Sequence, residues 1–202
     1  MPRQNRVTPF GDIVAESSRG TLMGNRGCLH DASGRIVRPY RLTNWIYCLL
    51  SFKGRHRQVM SPGRYTELFF LDEATALAAG HRPCAECQRG RYNDFLRCWA
   101  AGNPELVGKE KLRAPLVDAV LHRERIGPQG EKVKWRAKLG ELPVGVMVEL
   151  EEGKAGVVVE GGIRAWSRDR YATKISVSGD ENFDVLTPVS AVKAVRFGFA
   201  LQ

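Results

Sequence analysis

The chain has 202 residues, enough for one large or two small domains with a proper core, so it does not depend on disulfides to fold. Its 31 Lys+Arg against 22 Asp+Glu give a formal net charge of +9, and its five cysteines, an odd number, do not form a disulfide framework. No apolar run approaches a membrane span and the first residues lack the apolar segment of a signal peptide, so the expectation is a cytoplasmic protein with no membrane partner, in a reducing compartment where a CxxC pair is a metal half-site before it is a disulfide.

The charge is uneven along the chain. Residues 1 to 100 hold 15 Lys+Arg against 8 Asp+Glu, and fourteen of those bases are arginine. Guanidinium forks suit phosphate, which makes a nucleic acid the expected partner, DNA ahead of RNA. Within this half, Cys28 lies in GNRGCLHD, next to a strand edge. The run KGRHRQVMSPGR, Lys53 to Arg64, reads as a phosphate-contacting loop in which Lys53, Arg55, Arg57 and Arg64 supply the contacts. Tyr40, Trp45, Tyr47 and Tyr65 are interleaved with these bases as stacking platforms or as sheet core.

The segment EATALAAGHRPCAEC, Glu73 to Cys87, begins as a helix of Ala74, Ala76, Leu77, Ala78 and Ala79, with Gly80 as the residue that ends it. Pro83 stiffens the backbone before Cys84, and the spacing lets Cys84 and Cys87 face one cation at the start of a new helix. That helix is amphipathic: Tyr92, Phe95, Leu96 and Trp99 share a face, and Cys98 among them reads as a small buried hydrophobe. AGNPELVGKEK follows as a linker, then APLVDAVLHRERI as a helix with Pro115 in its first turn. From Lys132 the pattern is mostly strand: KVKWRAKL, VGVMVEL, AGVVVEGGIRAW and DRYATKISV, with Gly161-Gly162 at a hairpin turn. These predict a small antiparallel sheet or partly open barrel of about five strands. A last helix is predicted with Thr187 as N-cap and Pro188 at its first position, stopping at Gly198.

GRIVRPYRLTNWIYC from Gly34 to Cys48, followed by FFLDEATALAAGHRPCAEC from Phe69 to Cys87, resembles the zinc-binding N-terminal module of Ada-type DNA alkylation-repair proteins. The resemblance covers about residues 34–95. It implies an Ada-like module of β-hairpin and helices over 1–101; with the linker and helix read over 102–131 and the small, mostly antiparallel β-domain with a C-terminal helix read over 132–202, the expected fold class is α+β. It also implies zinc as the cofactor, with Cys48 as a ligand and alkyl acceptor and with Cys84 and Cys87 as further ligands. Where the family carries its second cysteine, this chain has Phe52. Three thiolates leave a zinc site at a formal charge of −1 rather than −2, which makes each sulfur a weaker nucleophile. The fourth place falls to Cys28 first, then to His81, His30, Cys98 or a water.

Three functions follow. The chain is a zinc-binding protein with a basic, nucleic-acid-binding surface, linked to DNA repair or regulation; or Cys48 accepts an alkyl group from a DNA phosphotriester; or an open zinc site hydrolyses a substrate, with His81 or His30 carrying protons. No catalytic or phosphate-cradling motif occurs in the second half.

Overall fold

Two six-stranded sheets and five helices make up an α+β fold in the computed structural model, which describes residues 1–55, 58–108 and 112–202. The first sheet is mixed. It is built from β1 (Gln4–Val7), β2 (Ile13–Ala15), β3 (Leu22–Asn25), β4 (Ile46–Leu49), β5 (Leu68–Phe70) and β6 (Arg82–Pro83), in the order β2-β1-β5-β3-β4-β6. The β1–β5 and β4–β6 pairs are parallel and the others antiparallel. Helix α1 (Glu73–Ala78) lies between β5 and β6 in the chain, and α2 (Arg89–Gly102) follows β6 and packs into the same core as the sheet.

The stretch after α2 is not a plain linker. Asn103 and Pro104 start a one-turn helix, α3 (Pro104–Val107), before α4 (Ala114–Arg125), whose Pro115 stands in the first turn as expected. The second sheet holds β7 (Trp135–Lys138), β8 (Met147–Glu151), β9 (Lys154–Val159), β10 (Gly162–Trp166), β11 (Tyr171–Ile175) and β12 (Asn182–Val185). Its order is β11-β10-β9-β8-β12-β7, and every pairing is antiparallel. The sixth strand is β12, four residues long, in which only Phe183 and Val185 face inward. Helix α5 (Val189–Arg196) starts at Pro188 as its cap. Thr187 does not cap it, because its hydroxyl accepts the Met147 N–H at 3.0 Å and ties the helix entrance to β8.

The cores run across residue 101. On α2, Phe95, Cys98 and Trp99 are buried in one cluster with Ala191 and Ala194 of α5 and with Phe199. A Cβ at Gly102 would lie 2.8 Å from the Lys193 backbone, so glycine sets how closely α2 and α5 approach. A second core of Val146, Val148, Ile163, Phe183, Val185 and Val192 lies under the second sheet, and a third joins Ala74 and Ala78 of α1 to Met147, Ala155 and Leu186. None of the described helices is long and apolar enough to cross a membrane.

Candidate metal centre

Short-range capping decides where the thiols fall. The Asp72 carboxylate accepts the Thr75 N–H at 2.8 Å and opens α1. At the other end Gly80 takes φ 80°, while its N–H donates to the Leu77 carbonyl at 2.8 Å and the His81 N–H to that of Ala76 at 2.9 Å. This left-handed stop reverses the chain. Arg82 and Pro83 then run parallel to β4, opposite Ile46 and Tyr47.

That ladder delivers Cys84 beside Cys48. The Cys84 N–H donates to the Tyr47 carbonyl at 2.9 Å, and Gln88 Nε2 donates to the same oxygen at 3.0 Å, so both ends of the CxxC turn hang on one acceptor. Arg82 is held from behind by a buried bidentate pair with Asp118 of α4, at 2.7 and 2.8 Å. The buried Tyr47 hydroxyl donates to Glu73, which also receives Arg91 Nη2 at 2.5 Å, locking β4, α1 and α2 together. Tyr47 and Trp45, 0% and 3% exposed, are therefore core and not stacking platforms for a ligand at the surface.

The sulfurs of Cys48, Cys84 and Cys87 all lie within 4.8 Å of one another, a group able to hold a metal ion. Cys48 and Cys84 are buried and Cys87 is half-buried. Cys84 and Cys87 sit in the turn ahead of α2, which begins only at Arg89, rather than in its first turn. A hydrogen bond from Cys48 is the main cause that holds the Cys84 thiol down to about 5, with backbone N–H groups of Cys87 and Glu86 adding to it against burial. The Glu86 N–H lies 3.4 Å from the Cys84 sulfur. Donating that bond and being buried push Cys48 up, and burial pushes Cys87 up.

Cys28 does not join them. Cys48 faces Met23 across the β3–β4 ladder, and the chain leaves β3 after Asn25 and turns at Gly27 (φ 96°), carrying Cys28 off the far end. Its sulfur points to the His30 carbonyl at 3.7 Å. His30 is engaged by the Thr66 hydroxyl at 2.6 Å and the Ser61 carbonyl at 3.3 Å. His81 is fully buried against Phe70 and Trp45, accepting Arg26 Nε at 3.1 Å. Burial, then the Arg26 and Arg125 charges, push its pKa well below the ordinary range and keep the ring neutral. Cys98 is enclosed in the core. Among the described residues the group thus has three protein donors.

All three cysteines line a cavity of ≈ 490 Å³ with walls of Met23, Ile46, Phe52 and Phe69. Phe52 fills the place that the resemblance gives to a cysteine. Arg55 lines the same cavity and pairs with Glu86 at 2.6 Å, both side chains being largely exposed. Lys53 Nζ stands 5.2 Å from the Phe52 ring centroid, at a backbone φ of 52°. Arg64 is exposed in a turn whose N–H returns to the Ser61 carbonyl at 3.1 Å, and Arg57 lies outside the described residues. The cavity walls Met23 and Phe69 carried no sequence signal, since each looks like any strand residue. Searches against protein-family models, curated proteins and solved structures find no match to this chain.

Proposed function

We propose that the chain binds zinc through Cys48, Cys84 and Cys87 and docks nucleic acid, DNA ahead of RNA, on the arginine-rich surface of its first half. The observation that carries this reading is the convergence of three thiol sulfurs within 4.8 Å on one cavity. Thiolates at about 2.3 Å from a tetrahedral ion stand roughly 3.8 Å apart, so the group needs only a small contraction. Sulfur donors also favour zinc over the hard cations. The resemblance to the Ada-type module points the same way.

Bound there, the ion would supply a Lewis acid with one position left for solvent or substrate. The residues of the chain do the rest: Cys84 offers a sulfur whose acidity is increased by its hydrogen bonds from Cys48 and the backbone, the apolar walls limit water, and Lys53 and Arg64 face an approaching polyanion. A second reading, alkyl acceptance by Cys48, is favoured by one feature, an apolar-walled cavity of a size that admits an alkyl phosphotriester beside that sulfur. It ranks second because three thiolates leave a weaker nucleophile than four. The hydrolytic reading ranks third, since His30 and His81 are both engaged elsewhere.

Metal analysis with cobalt substitution tests the first claim: one equivalent and a three-thiolate spectrum are expected, and absence of metal in folded protein overturns it. Duplex binding whose affinity falls steeply with salt tests the second, and Arg64→Ala with Lys53→Ala should flatten that slope. A single methyl mass on the Cys48 peptide after incubation with methylphosphotriester DNA would promote the second reading over the first.

A further inference from the structure

A second site lies outside the thiol group. A cleft of ≈ 990 Å³ opens between the first sheet, the end of α4 and the segment entering the second sheet, and Arg26, Arg125 and Lys132 line it. Trp45 is held between two guanidinium groups, with the Arg26 and Arg125 carbons each 3.9 Å from its ring centroid. Arg26 is 1% exposed and Arg125 is 3% exposed.

The partners of these cations are the unusual part. Arg26 donates to His81 Nε2 and to the Gly11 carbonyl at 2.9 Å, and its Nη2 has no partner. Arg125 donates to the carbonyls of Gly80 at 2.7 Å and Thr43 at 2.5 Å, and its Nε has no partner. Lys132 Nζ donates to the Ala78 carbonyl at 2.5 Å. Neutral acceptors hold all three, and none forms a salt bridge among the described residues. Asp12 is the acidic neighbour that Arg26 and Lys132 share.

Buried charges are ordinarily paired, because desolvation of an ion costs more than neutral hydrogen bonds return. Here three cations repel one another around one opening. Burial, joined for Lys132 and Arg125 by the other cations, lowers Arg26 and Arg125 to about 9 and Lys132 to about 7. The guanidinium groups stay charged at neutral pH all the same. A stability-driven design would have placed carboxylates or apolar groups here, so the missing counter-charge is best supplied from outside.

We infer that this cleft binds a phosphomonoester of nucleotide size, its phosphate neutralised by Arg26, Arg125 and Lys132 and its base set against Phe10 and Trp166, which also line the cleft. Asp12 offsets part of the charge of Arg26 and Lys132, and Asp118, already paired with Arg82, part of that of Arg125. Of the other carboxylates lining the cleft, Glu149 is paired with Lys134 and Glu131 accepts the Gln129 N–H, so the three cations are left to an anionic group from outside. The volume lies at the upper end of small-molecule sites. The ligand is either a free nucleotide or the phosphorylated end of a strand, and both present the same group. This inference does not rest on the zinc reading.

Calorimetric titration of the full chain with a nucleoside 5′-monophosphate, with inorganic phosphate, and with short oligonucleotides carrying a 5′-phosphate or a 5′-hydroxyl tests it. The nucleotide should bind more tightly than inorganic phosphate; a preference of the protein for the 5′-phosphorylated oligonucleotide over the 5′-hydroxyl one assigns the strand end, and equal weak binding of both assigns the free nucleotide. Lys132→Gln keeps a donor for the Ala78 carbonyl and removes the charge, and should weaken nucleotide binding at least tenfold while the ligand-free protein melts no lower. Asp12→Asn should tighten binding several-fold, a direction that a purely structural role for the cations does not give. No heat and no melting shift with any of the four ligands at millimolar concentration, or unchanged nucleotide affinity in Lys132→Gln, overturns the inference. Cys84→Ser should leave nucleotide binding intact, which separates its failure from failure of the zinc reading.

Discussion

The thiol group and the cationic cleft are opposite solutions to burying charge. At the thiols, donors whose negative charge one cation can neutralise are brought within 4.8 Å by a single parallel ladder, and two of the three are three residues apart. In the cleft, like charges from residue 26 and from the two sides of the turn that pairs Ile126 with Lys132 are gathered together, and each donates to neutral acceptors only, with Arg26 Nη2 and Arg125 Nε left without a partner. One cation could neutralise the thiols, and the chain has no such group to offer; a carboxylate could neutralise the cleft's cations, and among the described residues the chain places none in contact with them.

The largest effect expected from breaking this comparison is removal of the metal. Cys84→Ser, or chelation of the wild-type protein, should abolish metal binding and lower the melting temperature by on the order of 10 °C or more, because metal-binding free energy is also folding free energy. Elemental analysis with thermal melts of both samples checks this. Retention of a full equivalent of metal in the serine variant would remove Cys84 from the ligand set.

Next comes the support behind the thiols. Asp118→Asn leaves Arg82 buried without its carboxylate and should cost about 3–5 kcal/mol in denaturant titrations. Arg82 lies on β6, two residues before Cys84, so metal affinity in this variant should fall as well, by about tenfold. A stability loss with unchanged metal affinity would show that the β4 ladder alone positions Cys84.

One residue touches both places. Gly80 ends α1 ahead of the thiols at φ 80°, and a Cβ there would meet Arg125 Cδ at 2.3 Å. Gly80→Ala should cost about 1–2 kcal/mol from the left-handed backbone alone, and more from displacing Arg125. Denaturant melts give the total, and nucleotide titration tells whether the cleft is disturbed with it.

These differences explain what could be read from the amino-acid sequence. Helix α1 with its Gly80 stop and the grouping of Cys84 and Cys87 were legible, because capping and CxxC spacing act over a few residues. The grouping of Cys48 with them was implied by resemblance. That Cys28 stands apart from the group was not legible, because nearness to a strand edge does not reveal on which end of the ladder a residue emerges, and one turn at Gly27 decides that. In the second half the alternating runs were readable as strands, whereas β12 was too short, and its setting between β8 and β7 too non-local, to announce itself. The pairing of Arg55 with Glu86 was not legible because the two are 31 residues apart. The cleft had no sequence signature at all: Arg26 stood among many arginines, and nothing local couples it to Arg125 or Lys132.

The smallest expected effect distinguishes the two places by pH. Burial first, then Arg26 and Arg125, with Lys134 adding to them and Asp12 opposing, bring Lys132 from 10.5 to about 7. Between those values the unfolded chain holds a proton that the folded chain has shed, so this side chain makes stability rise with pH across the window, and below about pH 7 it contributes its full penalty. Lys132→Gln should therefore melt a few degrees above wild type at pH 6, with the gap closing toward pH 10. A bound phosphomonoester reverses the preference, since it favours the ammonium form. Nucleotide affinity should accordingly weaken as pH rises above 7, by at most about tenfold per unit for the one proton taken up. Melting curves of both proteins from pH 6 to 10, with and without nucleotide, check both statements. Parallel curves in the absence of nucleotide would mean that Lys132 carries no penalty, and the contrast between a cation-seeking and an anion-seeking site would lose its second half.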